Sequence, residues 1–309
     1  MKTPLFSFVL VLTSMFNYAQ QDAQFTQYMY NTININPAYA GSRGALSIFA
    51  LHRTQWVGLD GAPVTNTFSM NTPLNESNLG LGISIVNDKI GPSNENNFAV
   101  DFAYGFKISD NYKLSFGLKG SANILNVDFT KIDIYNPADP RFQNNIDNRF
   151  TSNIGTGIYL NSDKTYFGLS IPSLIETKHY DKTASNTATT FIASEKKHFY
   201  FIAGHVFDIN ENLKFKPSIL TKMVQGAPLQ VDLSGNFLIN QKFTAGLAYR
   251  LNASFSALAG FQVSNSIFIG YAYDRETTKL ANYNSGSHEI FLRYELIKRN
   301  VKIMSPRFF

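Results

Sequence analysis

Apolar and polar residues alternate along nearly the whole chain, in segments of about ten residues that end at turn residues. In residues 79–85, Leu and Ile alternate with Gly and Ser, and in residues 292–296, Leu and Tyr alternate with Arg and Glu. A period of two residues places the two classes of side chain on opposite faces of a β-strand. The chain is therefore predicted to be all-β.

Composition narrows the kind of β protein. Charged residues make up 16% of the 309 residues, against roughly 25% in an average soluble protein, and aromatic residues make up 14%. Such a chain must bury much of its surface or place it in lipid. The mean hydropathy of −0.13 is too low for a helical membrane protein, but it fits strands with one lipid face and one polar face. A soluble β-sandwich shows the same alternation, so the pattern alone does not separate the two folds.

The lengths of the predicted connections favour a membrane barrel. Fourteen strands are predicted, at about 44–53, 64–73, 79–87, 96–107, 111–125, 152–161, 164–172, 197–208, 212–222, 228–239, 242–251, 255–263, 266–275 and 286–298. Every second connection is a short turn, and most of the others are longer, notably 126–151 and 173–196. Outer-membrane barrels have an even number of antiparallel strands, short periplasmic turns and long extracellular loops. Both termini of the barrel are then expected on the periplasmic side.

The first residues predict export. Lys2 precedes an apolar run over 5–12, and Ala19 is a small residue at a cleavage position, which is typical of a secretory signal peptide. The alternative, an N-terminal membrane anchor, needs roughly 20 apolar residues, and this run is shorter. We therefore predict a signal peptide at 1–19, a periplasmic segment at 20–43, a transmembrane barrel at 44–298 and a periplasmic tail at 299–309.

Several stretches along the mature chain resemble a known family. They are QFTQYMY at 24–30, INPAYAGS at 35–42, RTQWVGLDGAP at 53–63, NTPL at 71–74, NDKIG at 87–91, GLSIP at 168–172 and SPRFF at 305–309. In this order they resemble the PorP/SprF family of type IX secretion proteins, and they cover nearly the whole mature chain.

The resemblance implies a Bacteroidota outer-membrane barrel that works with the type IX secretion and gliding machinery. It implies a role in the export and surface anchoring of a partner adhesin, whose type B C-terminal domain would be bound by the extracellular loops. It also implies contacts with other secretion components on the periplasmic side. The alternative is an outer-membrane channel or a transporter of hydrophobic substrates, which fourteen-stranded barrels can also be.

Partner-binding residues are expected in the extracellular loops, because the strands are committed to lipid and lumen. In the segment 126–151, aromatic and Arg residues of the kind that dominate binding energies are Tyr135, Arg141, Phe142 and Arg149. The alternative is that this loop folds inward as a plug. The segment 173–196 is expected to be a solvated surface loop.

The loop after the first strand holds two further candidates. Trp56 is the only Trp of the chain, and Asp60 follows it between Gly58 and Gly61. Trp56 is a binding anchor, a latch that closes the mouth of the barrel, or an aromatic residue that packs beneath neighbouring loops.

No enzyme is predicted. The five His residues are scattered, and the chain has no HExxH zinc motif, phosphate-binding loop or nucleophile elbow. We expect no catalytic residue, no cofactor and no metal ion. Basic residues are dispersed through the strands, so no nucleic-acid partner is expected, and the predicted surroundings are the lipids of the outer membrane.

Overall fold

A computed structural model describes residues 25–74, 78–133, 144–182 and 189–296 of the chain, and β-strands dominate it. The strands are β1 (Leu46–Thr54), β2 (Val64–Pro73), β3 (Leu79–Ile90), β4 (Ser93–Lys107), β5 (Lys113–Val127), β6 (Ile146–Asn161), β7 (Thr165–Ile171), β8 (Thr177–Lys182), β9 (Thr189–Glu195), β10 (His198–His205), β11 (Phe207–Asn210), β12 (Leu213–Val224), β13 (Gln230–Ile239), β14 (Phe243–Arg250), β15 (Ser254–Gln262), β16 (Ile267–Glu276) and β17 (Ser287–Leu296). Short 3-10 turns lie at Tyr28–Tyr30, Thr32–Asn34, Pro37–Tyr39, Phe129–Lys131 and Lys279–Asn282. No helix in the described ranges is long and apolar enough to cross a membrane.

The strands close into one antiparallel barrel. Each strand of the wall pairs with its neighbour in the sequence, and β1 pairs with β17, from Leu46 opposite Leu296 to Thr54 opposite His288. β10 and β11 occupy a single position in the wall, interrupted at Val206, because both pair with β12. The wall therefore has fourteen strand positions, and the predicted fold class is confirmed.

The connections differ between the two ends of the barrel largely as predicted, but two at the end with the longer loops, 91–92 and 251–253, are as short as the turns at the other end. One end of the barrel, the short-turn end, carries the connections after β2, β4, β6, β11, β13 and β15. The turn after β13 has positive φ at both central residues, Asn240 (50°) and Gln241 (57°), and is closed by a hydrogen bond from Lys242 to the carbonyl of Ile239, a turn geometry that matches the twist of hairpin strands. The other end, the long-loop end, carries the remaining connections. By the rule for outer-membrane barrels, the short-turn end faces the periplasm and the long-loop end faces the cell exterior.

Side chains face alternately into the lumen and outward, as the period of two residues predicts. Along β17, Glu289, Phe291, Arg293 and Glu295 are buried inside the barrel, whereas Ile290, Leu292 and Leu296 point outward and are exposed. Large apolar residues cover the outer face of the other wall strands in the same way. This arrangement suits a wall that meets lipid outside and a largely polar lumen inside.

Two predicted loops contain more strand than expected. β5 runs to Val127 and β6 begins at Ile146, so the described ends of the segment 126–151 continue the ladder beyond the predicted strands. The segment 173–196 contains the antiparallel hairpin β8–β9, which forms a separate two-stranded sheet. The predicted signal peptide, 1–19, and the predicted tail, 299–309, lie outside the described residues.

Candidate functional site

The lumen is filled by the chain's own N-terminal segment, residues 25–41, called the plug below. Residues 20–43 are predicted to lie in the periplasm, but Phe25, Tyr28, Tyr30, Ile33 and Tyr39 are buried in one core with inward-facing side chains of the wall. A fourteen-stranded barrel is wide enough to need a filling, and the plug carries no charged residue that would resist burial. The expectation of a periplasmic segment is therefore wrong for the plug.

An ionic cluster holds the start of the plug near the long-loop end. The Arg53 guanidinium lies 2.7 Å from the carboxylate of Asp274 and 2.9 Å from that of Glu289, and all three side chains are buried. The Thr26 hydroxyl donates to Asp274 at 2.7 Å, and the backbone N–H groups of Thr26 and Gln27 donate to Glu289 at 3.0 and 2.9 Å. The Glu289 carboxylate, paired with the Arg53 guanidinium, thus accepts charge-assisted hydrogen bonds from two backbone N–H groups of the plug.

Aromatic packing holds the middle of the plug. The Tyr30 ring lies 4.9 Å from the Phe291 ring and 5.4 Å from the Phe268 ring, measured between centroids. Two inward-facing cations also lie against Tyr30, the Lys216 ammonium at 5.2 Å and the Arg293 guanidinium at 5.6 Å from its centroid. Because both cations are buried, the electron-rich face of the ring offsets part of their lost hydration.

Wall glycines seat the end of the plug towards the short-turn end. A Cβ on Gly117 of β5 would overlap the backbone of Pro37 and Ala38, and a Cβ on Gly80 of β3 would overlap the carbonyl of Ala40. Beside them, the Asn36 amide donates to the carbonyl of Ile158 at 3.0 Å. The wall is therefore shaped to the backbone of this segment, and only glycine allows the approach.

Further polar contacts join the plug to opposite parts of the wall. The Lys119 ammonium, paired with Asp101 at 2.8 Å, donates to the carbonyl of Ile33 at 3.4 Å. Ser170 of β7 donates to the carbonyl of Ile35 at 2.6 Å. The plug thus touches strands on all sides of the lumen and fills it as a folded part of the barrel.

At the long-loop end, the loop of Trp56 is joined to the loop between β16 and β17. The Trp56 indole N–H donates to Glu276 at 3.0 Å, and its backbone N–H donates to the Ser287 hydroxyl at 3.1 Å. Val57 and the 285–286 backbone exchange two further hydrogen bonds, at 2.8 and 2.9 Å. We call these two connections, residues 55–63 and 277–286, the rim clasp. Trp56 has a φ of 47°, a left-handed conformation that is costly for a bulky residue and is maintained by these contacts.

The other predicted site residues are not brought together with Trp56 by any described contact. Asp60 is exposed on the rim clasp, and Arg149 is half-buried on β6. Tyr135, Arg141 and Phe142 lie outside the described residues. At the described edge of their loop, hydrogen bonds from Thr130 and Lys131 lower the pKa of Asp128 to about 2, so this rim carboxylate stays ionised at neutral and mildly acidic pH.

Two features of the site were missed by the sequence interpretation. The plug has no period-two pattern, and its only sequence signal is a run of aromatic and amide residues without charge. Tyr283 on the rim clasp is 70% exposed, and no pattern singles it out from the other 15 Tyr residues of the chain. Within the described ranges, no group of His, Asp or Glu residues is placed to hold a metal ion.

Comparison with known proteins identifies the family. A family model described as type IX secretion system membrane protein PorP/SprF matches residues 17–294, which include the plug and almost all of the barrel. The chain belongs to the PorP/SprF family. It is therefore an outer-membrane protein of type IX secretion, and the family and location expected from the sequence are confirmed. Among curated protein sequences, none matches this PorP/SprF chain.

Solved structures share the barrel. The "CymD monoaromatic hydrocarbon channel" is 12% identical, with 89% of this chain and 94% of that chain covered and a TM-score of 0.50. The outer-membrane protein Omp33 of Acinetobacter baumannii is 6% identical, with 82% and 99% covered and a TM-score of 0.46. A Pseudomonas aeruginosa FadL homologue is 12% identical, with 81% and 89% covered and a TM-score of 0.43. The likeness to CymD concerns the fold alone.

Proposed function

We propose that this PorP/SprF protein supports the export and cell-surface anchoring of a partner adhesin, by binding the type B C-terminal domain of the adhesin through its extracellular loops. It does so as a binding protein and not as an enzyme. Other type IX secretion components bind at the short-turn end.

The filled lumen is the observation that carries this proposal. A diffusion channel or a transporter of hydrophobic substrates needs a continuous passage, whereas here an uncharged segment is seated on wall glycines and hydrogen-bonded to opposite strands. A barrel filled in this way is suited to act as a membrane anchor for a binding surface. The alternative function, a channel, is supported by the barrel fold only.

The rim clasp gives the binding surface a defined shape. Hydrogen bonds fix the loop 277–286 internally, including Arg275 to the carbonyl of Asn284 at 3.3 Å and Asn284 to the carbonyl of Leu280 at 2.6 Å. On this fixed loop Tyr283 is exposed, and so is Val57, whose backbone is hydrogen-bonded to Ser285 and Gly286 of the same loop. An exposed aromatic residue on a rigid support loses little entropy on binding, which favours it as an anchor for a protein partner.

Affinity purification of the tagged protein from its native outer membrane tests the proposal. We expect a large surface protein and at least one secretion component to be recovered with it. Tyr283→Ala should reduce the recovery of the surface protein, whereas Tyr249→Ala, which removes an exposed Tyr from the lipid face of β14, should leave it unchanged. Recovery of neither kind of partner with the wild-type protein would exclude the anchoring function.

A further inference from the structure

One strand of the wall extends far beyond its neighbour. β6 pairs with β5 along its whole length, from Ile146 opposite Val127 to Asn161 opposite Lys113. On its other side, β7 pairs only from Thr156 to Asn161, because β7 ends at Ile171 before Pro172. β8 and β9 pair only with each other. The long-loop half of β6 therefore has no strand on this side within the described ranges.

Beyond β7, hydrogen bonds from the next residues of the chain reach two more residues of β6 and then end. Leu174 donates from its backbone to the carbonyl of Ile154 at 2.8 Å. The Asn153 side-chain amide donates to the carbonyl of Ile175 at 2.7 Å and accepts from the N–H of Ile175 at 2.9 Å. It thus occupies the place of a neighbouring strand. No described backbone contact reaches β6 on this side beyond Asn153.

The direction of the next backbone groups follows from the geometry of the strand. Backbone groups of an antiparallel strand point alternately to its two sides, and those of Ile154 point away from β5. Ser152 and Phe150 are two and four residues away from Ile154 and keep the same register against β5, so their N–H and C=O groups point to the open side as well. We call residues 149–153 the β6 edge.

The β6 edge lies where the lipid-facing surface ends. Phe150 is 63% exposed on the outer face, opposite Ile124 of β5, whereas the exposed residues that precede it in the chain, Asp147 and Asn148, are polar. Backbone groups beside lipid are strongly driven to find hydrogen-bond partners, and an open strand edge provides them to any extended chain.

We propose that the β6 edge pairs with an extended strand of the exported surface protein, by addition of that strand to the barrel wall. This inference rests on the proposed function, because the edge is at the long-loop end, where a surface protein can reach it and a periplasmic component cannot. Strand addition uses the backbone N–H and C=O groups of the β6 edge. In this mode of binding, backbone hydrogen bonds give the affinity, and the side chains on the two faces of the wall give the specificity. It also places Arg149 next to the bound strand.

A proline substitution tests this pairing without breaking the barrel ladder. The N–H of Ser152 points to the open side, so Ser152→Pro removes a donor of the edge and no hydrogen bond to β5. Ser152→Ala is the matched control, because it removes the hydroxyl and keeps the N–H. In affinity purification of the tagged full chain from native outer membrane, Ser152→Pro should lower recovery of the surface protein at least tenfold, and Ser152→Ala should not.

Hydrogen exchange on the purified wild-type complex provides a readout that does not depend on the folding of a variant. The amides of Phe150 and Ser152 should exchange rapidly in the protein alone and become protected in the complex. If the surface protein is recovered equally with Ser152→Pro, or if these two amides stay unprotected, strand addition is wrong and the anchoring function stands. Loss of self-association in Ser152→Pro, with unchanged recovery of the surface protein, would assign the edge to a second copy of the chain and overturn the inference. Recovery of no surface protein with the wild type would overturn both proposals.

Discussion

At the scale of single residues, close packing between the plug and the wall depends on glycines. Gly117→Ala should destabilise the protein by about 1–3 kcal/mol, because the new methyl group meets the backbone of Pro37 and Ala38, which cannot move aside cheaply. Gly120→Ala on the same strand is the matched control, since a Cβ there meets nothing within 4 Å. Unfolding in urea, followed by the shift in electrophoretic mobility between folded and unfolded barrel, measures both variants. Equal stability of the two would show that the plug does not sit on Gly117.

Residue-scale prediction from the sequence succeeded for the strands and failed for the contacts of the lumen. The phase of the alternation places Ile158 outside and Tyr159 inside, as observed. Both Tyr159 and Tyr166 are buried in the lumen, and Tyr159 packs edge-on against Tyr39 of the plug at 5.5 Å between centroids, a contact that the period does not predict. The period of a strand shows which way a side chain points, but only the three-dimensional structure shows that a distant segment fills the space in front of it.

At the scale of elements, the rim clasp joins two loops that are more than 200 residues apart in sequence. Trp56→Phe should keep the ring and lose the hydrogen bond to Glu276, which costs about 1 kcal/mol in this partly exposed position. The two loops should then separate more often, so the amides of Val57 and Ser285 should exchange with solvent faster. Tyr283→Phe, a change to the exposed ring of the same loop, serves as the control and should leave these amides as they are. Unchanged exchange in Trp56→Phe would mean that backbone contacts alone hold the clasp.

The elements also show why some connections were predicted poorly. Alternation becomes weak where a strand leaves the membrane, because neither face then needs to be apolar. β6 begins at Ile146 instead of about 152, and the residues at its long-loop end, Asp147 to Ser152, are mostly polar. The bulge between β5 and β6 at Asn148, which has a φ of 48°, interrupts the period once more.

At the scale of the whole molecule, the plug decides whether this barrel conducts. The family and the fourteen-strand barrel follow from sequence motifs and from the alternation of short and long connections. A filled lumen does not, because the plug is attached by contacts that span up to 263 positions of the chain, such as that of Thr26 with Glu289. A wall of this size without its filling would enclose water and let ions pass.

Planar-bilayer recordings of the wild-type protein should therefore show no large, stable open-channel currents. Deletion of residues 25–41 should produce them, because it removes the segment that touches opposite sides of the lumen. The deletion variant must first show the heat-dependent electrophoretic mobility of a folded barrel. Any currents can then be attributed to an intact barrel with an empty lumen. Gly120→Ala, which does not contact the plug, should show no such currents, like the wild type. Large, stable currents through the wild-type protein would mean that the plug leaves the lumen in the membrane, and they would favour the channel over the anchor.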